Sequence, residues 1–184
     1  MCTQLRSFLT EQIRNFTNEM YTEISYHFYG KNVNRNEILI RPGKTIKNLY
    51  FVNRVCLRRY FFAEDGREIT KDFTFEGSFN AIPVDFLYKT PSKFDYIQAL
   101  EKTELLEISY EGFDYISNRI PDFFYSLITM SYSINDDFSK ASSHLGTATE
   151  KYKWLLEEKP QIIQRISDKL IASHLDISTR TQFE

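Results

Sequence analysis

Apolar residues recur along the chain with two different periods, and the changes of period divide it into blocks. Leu5, Phe8, Leu9, Ile13, Phe16, Met20, Ile24 and Phe28 fall at helical spacing with polar residues between them. That pattern predicts an amphipathic helix or helix pair covering a sheet. From Asn36 the period shortens. Ile38-Leu39-Ile40 meets the turn Arg41-Pro42-Gly43, and Leu49-Tyr50-Phe51-Val52 reads as the next short strand. Leu57 to Ala63 and Glu68 to Phe75 flank Glu64-Asp65-Gly66-Arg67, where Asp-Gly is a strong hairpin signal. In the second of these strands Ile69, Phe73 and Phe75 share one face, while Thr70, Asp72 and Thr74 take the other. Ile97 to Leu100 and Leu105 to Ile108 supply two further strands. Short strands crowded with turns indicate a sandwich or roll.

The longest helical pattern opens at Pro121-Asp122, a proline suited to the first helical position followed by an acid in the first turn. No Gly or Pro interrupts residues 122–145, a run of 24 residues, or about 36 Å of helix. Along it Phe124, Leu127, Ser131, Ile134, Phe138, Ala141 and Leu145 alternate steps of three and four, and all but Ser131 are apolar. This a/d spacing is the seam of a two-helix coiled coil and makes these apolar residues the expected homodimer interface. The alternative is a helix packed on its own domain. After Gly146, Thr147-Ala148-Thr149-Glu150 is a capping box opening a further helix, which stops at Lys159-Pro160. A tail of short helical segments follows. The chain therefore reads as α+β: N-terminal helices, an antiparallel β-roll, a long helix and a small helical tail.

Composition narrows the function classes. The 184 residues include 12 Tyr and 16 Phe, so the core is unusually aromatic, and the net charge of −2 advertises no overall affinity for nucleic acid. Cys2 and Cys56 are isolated and read as reduced thiols. With no signal peptide pattern and no apolar run near the roughly 18 residues of a membrane span, the expected location is the cytoplasm. The three histidines, His27, His144 and His174, all lie outside residues 36–109. That excludes the metal-dependent enzymes built on β-rolls, whose strands supply two or more His ligands. Two separated cysteines do not make a four-thiolate cluster. His174 reads as a surface or capping residue. No Ser-His-Asp set, glycine-rich phosphate loop or paired carboxylates stand out, so neither an enzyme nor a cofactor is expected.

The residues also carry a resemblance. The order Glu37-Ile38-Leu39, Arg41-Pro42-Gly43, Leu49-Tyr50-Phe51-Val52, Arg58 and Asp65-Gly66-Arg67-Glu68-Ile69 continues through Phe75-Glu76-Gly77-Ser78-Phe79 and Pro91-Ser92. Ile97-Gln98-Ala99-Leu100-Glu101 and Glu107-Ile108-Ser109 complete the first part. Ala148-Thr149-Glu150-Lys151-Tyr152, Leu155-Leu156, Lys159-Pro160, Ile171-Ala172-Ser173-His174-Leu175 and Ile177-Ser178 follow. In this order they resemble the Crp/Fnr family of bacterial transcription regulators over nearly the whole chain. The resemblance implies a cyclic-nucleotide-binding-like jelly roll as a sensor over residues 1–120 and a dimerisation helix over 121–146. A helix-turn-helix head over 147–184, acting on DNA at a palindromic operator, would complete it.

It also implies where an effector would sit. Cyclic-nucleotide binders of the family place a Gly-Glu pair on the ribose and an Arg-Ser/Thr-Ala run on the phosphate. Here those positions hold Gly77, Ser78, Lys93, Phe94 and Asp95. Lys93 offers a point charge without the bidentate fork, and Asp95 repels a phosphate. Cyclic AMP is therefore not the expected effector, and a different small molecule, or none, takes its place. Phe79, Phe86, Tyr88, Phe94 and Tyr96 are either the lining of an apolar effector pocket or simply core. In the tail, Ser167 to Leu175 reads as the first helix of the motif, with Ile171 and Leu175 facing inward. Asp176 occupies the turn position where glycine is usual, and Ser178 caps the recognition helix. Six residues follow Ser178, so that helix is expected to be short or truncated. Thr179 and Arg180 would reach base edges from its first turn, while Lys169 would meet a phosphate. From Lys151 onward six cations face five acids, a net charge of +1.

Overall fold

The computed structural model describes residues 2–80, 83–139 and 146–178, with the backbone alone at Pro83. Ala141, Leu145, Thr179 and Arg180 lie outside the described residues. The elements begin with α1 (Thr3–Gln12), α2 (Asn18–Tyr26), β1 (Phe28–Val33), β2 (Ile38–Ile40), β3 (Asn48–Arg54), β4 (Leu57–Phe62) and β5 (Glu68–Thr74). They continue with β6 (Phe79–Asn80), α3 (Pro83–Leu87), β7 (Tyr96–Ala99), β8 (Thr103–Ser109), α4 (Tyr110–Arg119) and α5 (Pro121–Ser139). Three tail helices close the chain: α6 (Ala148–Glu158), α7 (Pro160–Arg165) and α8 (Asp168–Leu175). The antiparallel sheets with flanking helices are those expected of an α+β roll. Contacts group the elements into two compact units. One runs up to Arg58 and resumes over Thr74–Ser131; the other joins Arg59–Phe73 to the chain from Tyr132.

In the first unit the expected helical N-terminus is a pair. Cys2 caps α1 by accepting the Leu5 amide on its sulfur at 3.4 Å, and Thr17 caps α2 through the Met20 amide at 3.2 Å. Asn15, at φ 51°, makes the break between them. One four-stranded sheet has the order β1-β8-β3-β6. β1 pairs with β8 from Phe28↔Ile108 to Val33↔Thr103, and β3 pairs with the other edge of β8, Leu49 opposite Ile108. β2 and β7 pair separately, Ile38 opposite Gln98. β1 and α4 escape the sequence pattern. Phe28-Tyr29-Gly30-Lys31-Asn32-Val33 has no clean alternation, and its register comes from pairing with β8. α4 is short but amphipathic, capped by Ser109 accepting the Gly112 amide at 3.2 Å, with Phe113 and Ile116 buried.

Between this sheet and its helices lies the core. Leu5 and Leu9 of α1, Ile24 of α2, Phe51 of β3, Ile108 of β8 and Phe123 of α5 are all buried there. Phe79 sits among them, its ring 5.3 Å from Phe8, 5.1 Å from Phe51 and 6.1 Å from Phe123. Phe86 is likewise core, fully buried against Phe113 at 5.3 Å. Tyr88 and Phe94, by contrast, are 76% and 68% exposed. The five aromatics considered as one pocket lining are therefore divided between core and surface.

In the long helix, Leu127 is 2% exposed and belongs to the core of the first unit. It packs within the chain rather than standing on an open seam. Ser131, the polar residue of the heptad pattern, is buried and donates its hydroxyl to the Leu127 carbonyl at 2.8 Å, so it needs no outside partner. Phe124, Ile134 and Phe138 are half-buried.

The turn from β3 to β4 holds a conformation its residue does not favour. Val55 has φ 74°, in the left-handed region where a β-branched side chain is a genuine outlier. Its amide donates to Glu76 Oε1 at 2.8 Å, which anchors the strained backbone. Glycine adopts this φ without steric cost, at the expense of about 0.5–1 kcal/mol of extra unfolded-state entropy, against about 1–2 kcal/mol for a left-handed L-residue. Val55→Gly is therefore expected to stabilise the protein, by up to about 1 kcal/mol. Urea denaturation of the two proteins checks this, and a clear loss of stability would refute it.

Candidate nucleic-acid interface and effector region

The second unit is built on three short helices. α6 opens on the expected capping box: Glu150 donates its amide to Thr147 Oγ1 at 3.2 Å and accepts the Thr147 amide at 2.8 Å. Pro160 ends it and starts α7. Leu155, Ile162, Ile166, Ile171, Ala172 and Leu175 are buried apolar positions of the three helices and their ends. Asp176, at φ 50° and ψ 51°, ends α8 in the left-handed conformation that the turn after this helix requires. Lys151 is 9% exposed, and its ammonium donates to the Leu175 carbonyl at 2.9 Å, satisfying an end of α8 that has no helical partner.

The β4–β5 hairpin closes on α8 through polar groups. Ser173 Oγ donates to the Glu68 carbonyl at 2.6 Å and accepts the Thr70 amide at 3.1 Å; the Thr70 hydroxyl lies 3.0 Å away. His174 Nδ1 is 3.1 Å from the Thr70 carbonyl, and its ring meets Phe73 edge-on at 5.5 Å. At the hairpin tip, Arg67 spans Asp65 at 2.6 Å and Asp176 at 2.5 Å. Deeper in, Arg59 pairs with Asp72 at 2.5 Å, both nearly excluded from water, and reaches Asn135 Oδ1 at 3.3 Å. The polar face of β5 is thus covered, with Thr70 and Thr74 both buried. His174 is 4% exposed, which overturns its reading as a surface or capping residue. Neither Arg59 nor Asp72 stands out in the sequence. The signal was present, since an Arg and an Asp flank one Asp-Gly turn on strands that must pair.

The residues assigned to DNA are partly placed. Lys169, on α8, and Ser178, beyond it, are exposed. Of the six cations counted in the tail, Lys151 is spent on the end of α8 and Lys159 on Asp137 at 2.7 Å. Lys153 and Arg165 are exposed like Lys169. The residues assigned to an effector make separate local contacts. Gly77, at φ 81°, turns the chain so that its amide reaches the Val52 carbonyl at 2.9 Å, while Ser78 donates its hydroxyl to Met130 Sδ at 3.4 Å. Lys93 and Phe94 are exposed on a loop fixed by Ser92, whose hydroxyl donates to the Asp95 carbonyl at 2.9 Å. No hydrogen bond or ring contact among the described residues joins them to Gly77 or Ser78. The space near Glu76 is instead an open polar cleft of about 660 Å³, shared by Arg54, Lys102 and Glu104.

No family model and no curated protein matches the sequence. The fold has many relatives among solved structures. A regulator assigned to the Crp/Fnr family from Eubacterium rectale superposes with a TM-score of 0.69 at 20% identity, over 94% of this chain and 81% of that one. The c-di-GMP-responsive global regulator CLP of Xanthomonas campestris gives 0.69 at 16% identity, over 90% and 88%. The fold is that of the Crp/Fnr regulators. A protein kinase A regulatory subunit from Trypanosoma brucei, cAMP-independent, shares it more loosely, with a TM-score of 0.52 at 14% identity over 68% of this chain and 48% of that one. Within the Crp/Fnr fold the roll, the long helix and the helical tail occur here in the order the sequence implied. No helix among the described residues is long and apolar enough to cross a membrane.

His174 gives the second unit a pH response. Burial pushes its pKa below the usual imidazole range, outweighing the Thr70 carbonyl and the Asp72 and Asp137 carboxylates, which pull upward; Lys159 adds to the depression. A neutral ring bonds that carbonyl only as the Nδ1–H tautomer. Because the folded-state pKa is lowered, the unfolded chain binds the extra proton first. Stability is therefore level above the ordinary imidazole value of about 6.5 and declines as the pH falls below it. His174→Gln is expected to flatten this decline between pH 7.5 and 5.5 in urea denaturation, since the other two histidines are common to both proteins. An equal decline in both would refute the assignment.

Proposed function

We propose that this protein is an effector-responsive, DNA-binding transcription regulator of the Crp/Fnr type, working as a homodimer with a degenerate cyclic-nucleotide site. The observation that carries the reading is the fold, shared over most of the chain with proteins described as regulators of gene expression or transcription. On this reading residues 1–120 form the sensor, 121–146 the dimerisation helix and 147–184 the head. Phe124, Ile134 and Phe138 supply the half-buried part of the dimer seam. Ser178, Thr179 and Arg180 read a palindromic operator, and Lys169 holds a phosphate. A guanidinium in the first turn of a recognition helix takes guanine O6 and N7 together, worth about 1–3 kcal/mol of discrimination.

A second reading is a sensing or protein-interaction dimer that has lost DNA readout. Two tail cations, Lys151 and Lys159, are committed to internal partners, and the same fold serves a kinase regulatory subunit. Selection of bound sequences from random duplexes separates the two. The first reading expects an enriched palindrome at low salt. Arg180→Ala then flattens the preference at one base pair per half-site, while Lys169→Ala weakens all sequences alike and lowers the salt slope. Absence of any enriched palindrome would leave the second reading. The dimer is tested by Ile134→Glu with Phe138→Glu, which should give a monomer in sedimentation; a wild-type monomer would remove the dimer from either reading.

Cyclic AMP and cyclic GMP are expected not to bind. Ser78, Lys93 and Phe94 stand in place of the ribose and phosphate partners, and each charged hydrogen bond lost is worth about 1.5–3 kcal/mol. Micromolar binding of either nucleotide in calorimetry would overturn this.

A further inference from the structure

We propose that the groove bounded by α3, α4 and the first turns of α5 binds a small organic amine with an aromatic body. It lies wholly within the first unit, apart from the positions assigned to a cyclic nucleotide, and the proposal does not depend on DNA binding. The groove has a volume of about 480 Å³, within the roughly 300–1,000 Å³ of small-molecule sites. Phe113 is buried at its floor, and Tyr88 and Tyr125 stand 76% and 65% exposed in its lining. Phe124 joins them, its ring 6.2 Å from Phe113 and 5.9 Å from Tyr125. A further ring at offset or edge-on geometry fits such a lining.

The polar groups around the groove choose the amine. Asp114 lines the groove, is exposed, and its carboxylate has no hydrogen-bond or ion-pair partner among the described residues. Asn118 bonds only its main-chain carbonyl, at 2.9 Å. Ser117 also lines the groove, and its hydroxyl is buried without a hydrogen-bond partner. A helical serine ordinarily gives its proton to the carbonyl one turn back, so an orphaned one calls for an explanation. An ammonium group supplies a donor to the exposed Asp114 carboxylate. Finally, a cation already rests on one of the lining rings. Lys89, at φ 54°, places its Nζ 3.7 Å from the centroid of Tyr110, another lining residue. Aromatic faces attract cations, and Asp114, the charged residue in the lining, repels a carboxylate of the same size, whereas Lys89 is not among the lining residues.

The test is calorimetric titration of the full chain with phenethylamine, compared with 3-phenylpropionate, which keeps the ring and reverses the charge. Phenethylamine is expected to saturate, with 3-phenylpropionate at least about tenfold weaker. Asp114→Asn, a substitution at an exposed position that leaves the core untouched, should lower the amine affinity about tenfold and remove the discrimination. Tyr125→Ala should weaken the amine without restoring the acid. Equal binding of the two probes, no saturation by the amine below about 10 mM, or an unchanged affinity in Asp114→Asn would each overturn the proposal.

Discussion

The first unit depends on where one ring is placed. Phe79 meets rings from α1, β1, β3 and α5, at distances from 5.1 to 6.1 Å. Its position follows from the two residues before it. Gly77 takes φ 81°, and its amide reaches the Val52 carbonyl, while the Val52 amide returns a bond to the Ser78 carbonyl at 2.9 Å. Those bonds aim the next side chain inward and leave Ser78 beside Met130 of α5. Ordering four elements around one aromatic group couples the turn at Ser78 to the packing of the long helix. A change that moved this turn would cost core packing, where truncating a buried Phe is worth about 3–5 kcal/mol.

Much of this was readable along the chain because local signals and tertiary structure agree. The Asp-Gly hairpin appears with Gly66 at φ 82° and Asp65 Oδ1 accepting the Arg67 amide at 3.0 Å, the chemistry that the tetrapeptide encodes. The same holds for Thr147 and Glu150, and for Asp176, whose short side chain tolerates the left-handed turn. What the pattern could not carry is information held by a distant partner. β1 has no alternation of its own and is defined by β8. Leu127 fits a heptad seam equally well whether its partner is another protomer or its own core, since periodicity says which face is apolar and not what covers it. His174 sits on a short helix between apolar neighbours. Only the hairpin about 100 residues earlier in sequence turns it from a surface ring into a buried one.

The two units are held together internally by different physics. The first is a buried apolar core rich in aromatic rings. In the second, the hairpin meets α8 through Ser173, Thr70, His174 and Arg67, while the Arg59–Asp72 pair joins the hairpin's own two strands. Each neutral hydrogen bond there nets only about 0.5–1.5 kcal/mol, because water is the alternative partner. A buried ion pair such as Arg59–Asp72 is weak evidence for stability, yet removing one member leaves an uncompensated charge worth about 3–5 kcal/mol. Such an arrangement specifies one alignment of hairpin and helix more than it strengthens it. An interface of that kind is cheaper to open than an apolar one, since the groups it frees can be rehydrated.

The same polar bookkeeping bears on what the tail could offer a polyanion. A count of cations in the sequence treats all six as available, but Lys151 caps a helix end and Lys159 is neutralised by Asp137. Affinity for a duplex falls with salt by a slope of about 0.9 for each phosphate neutralised. If DNA is the partner, few of these cations are left for phosphates, the exposed Lys153 and Lys169 and also Arg180 among them, a modest electrostatic hold. Discrimination between sequences would then rest on base-edge contacts more than on the general field, which a chain with a net charge of −2 does not provide. A weakly held, contact-dependent reader gains most from being doubled. Pairing two such heads on one palindrome turns the second binding event into an intramolecular one, so under this reading the long helix matters for affinity as much as for assembly.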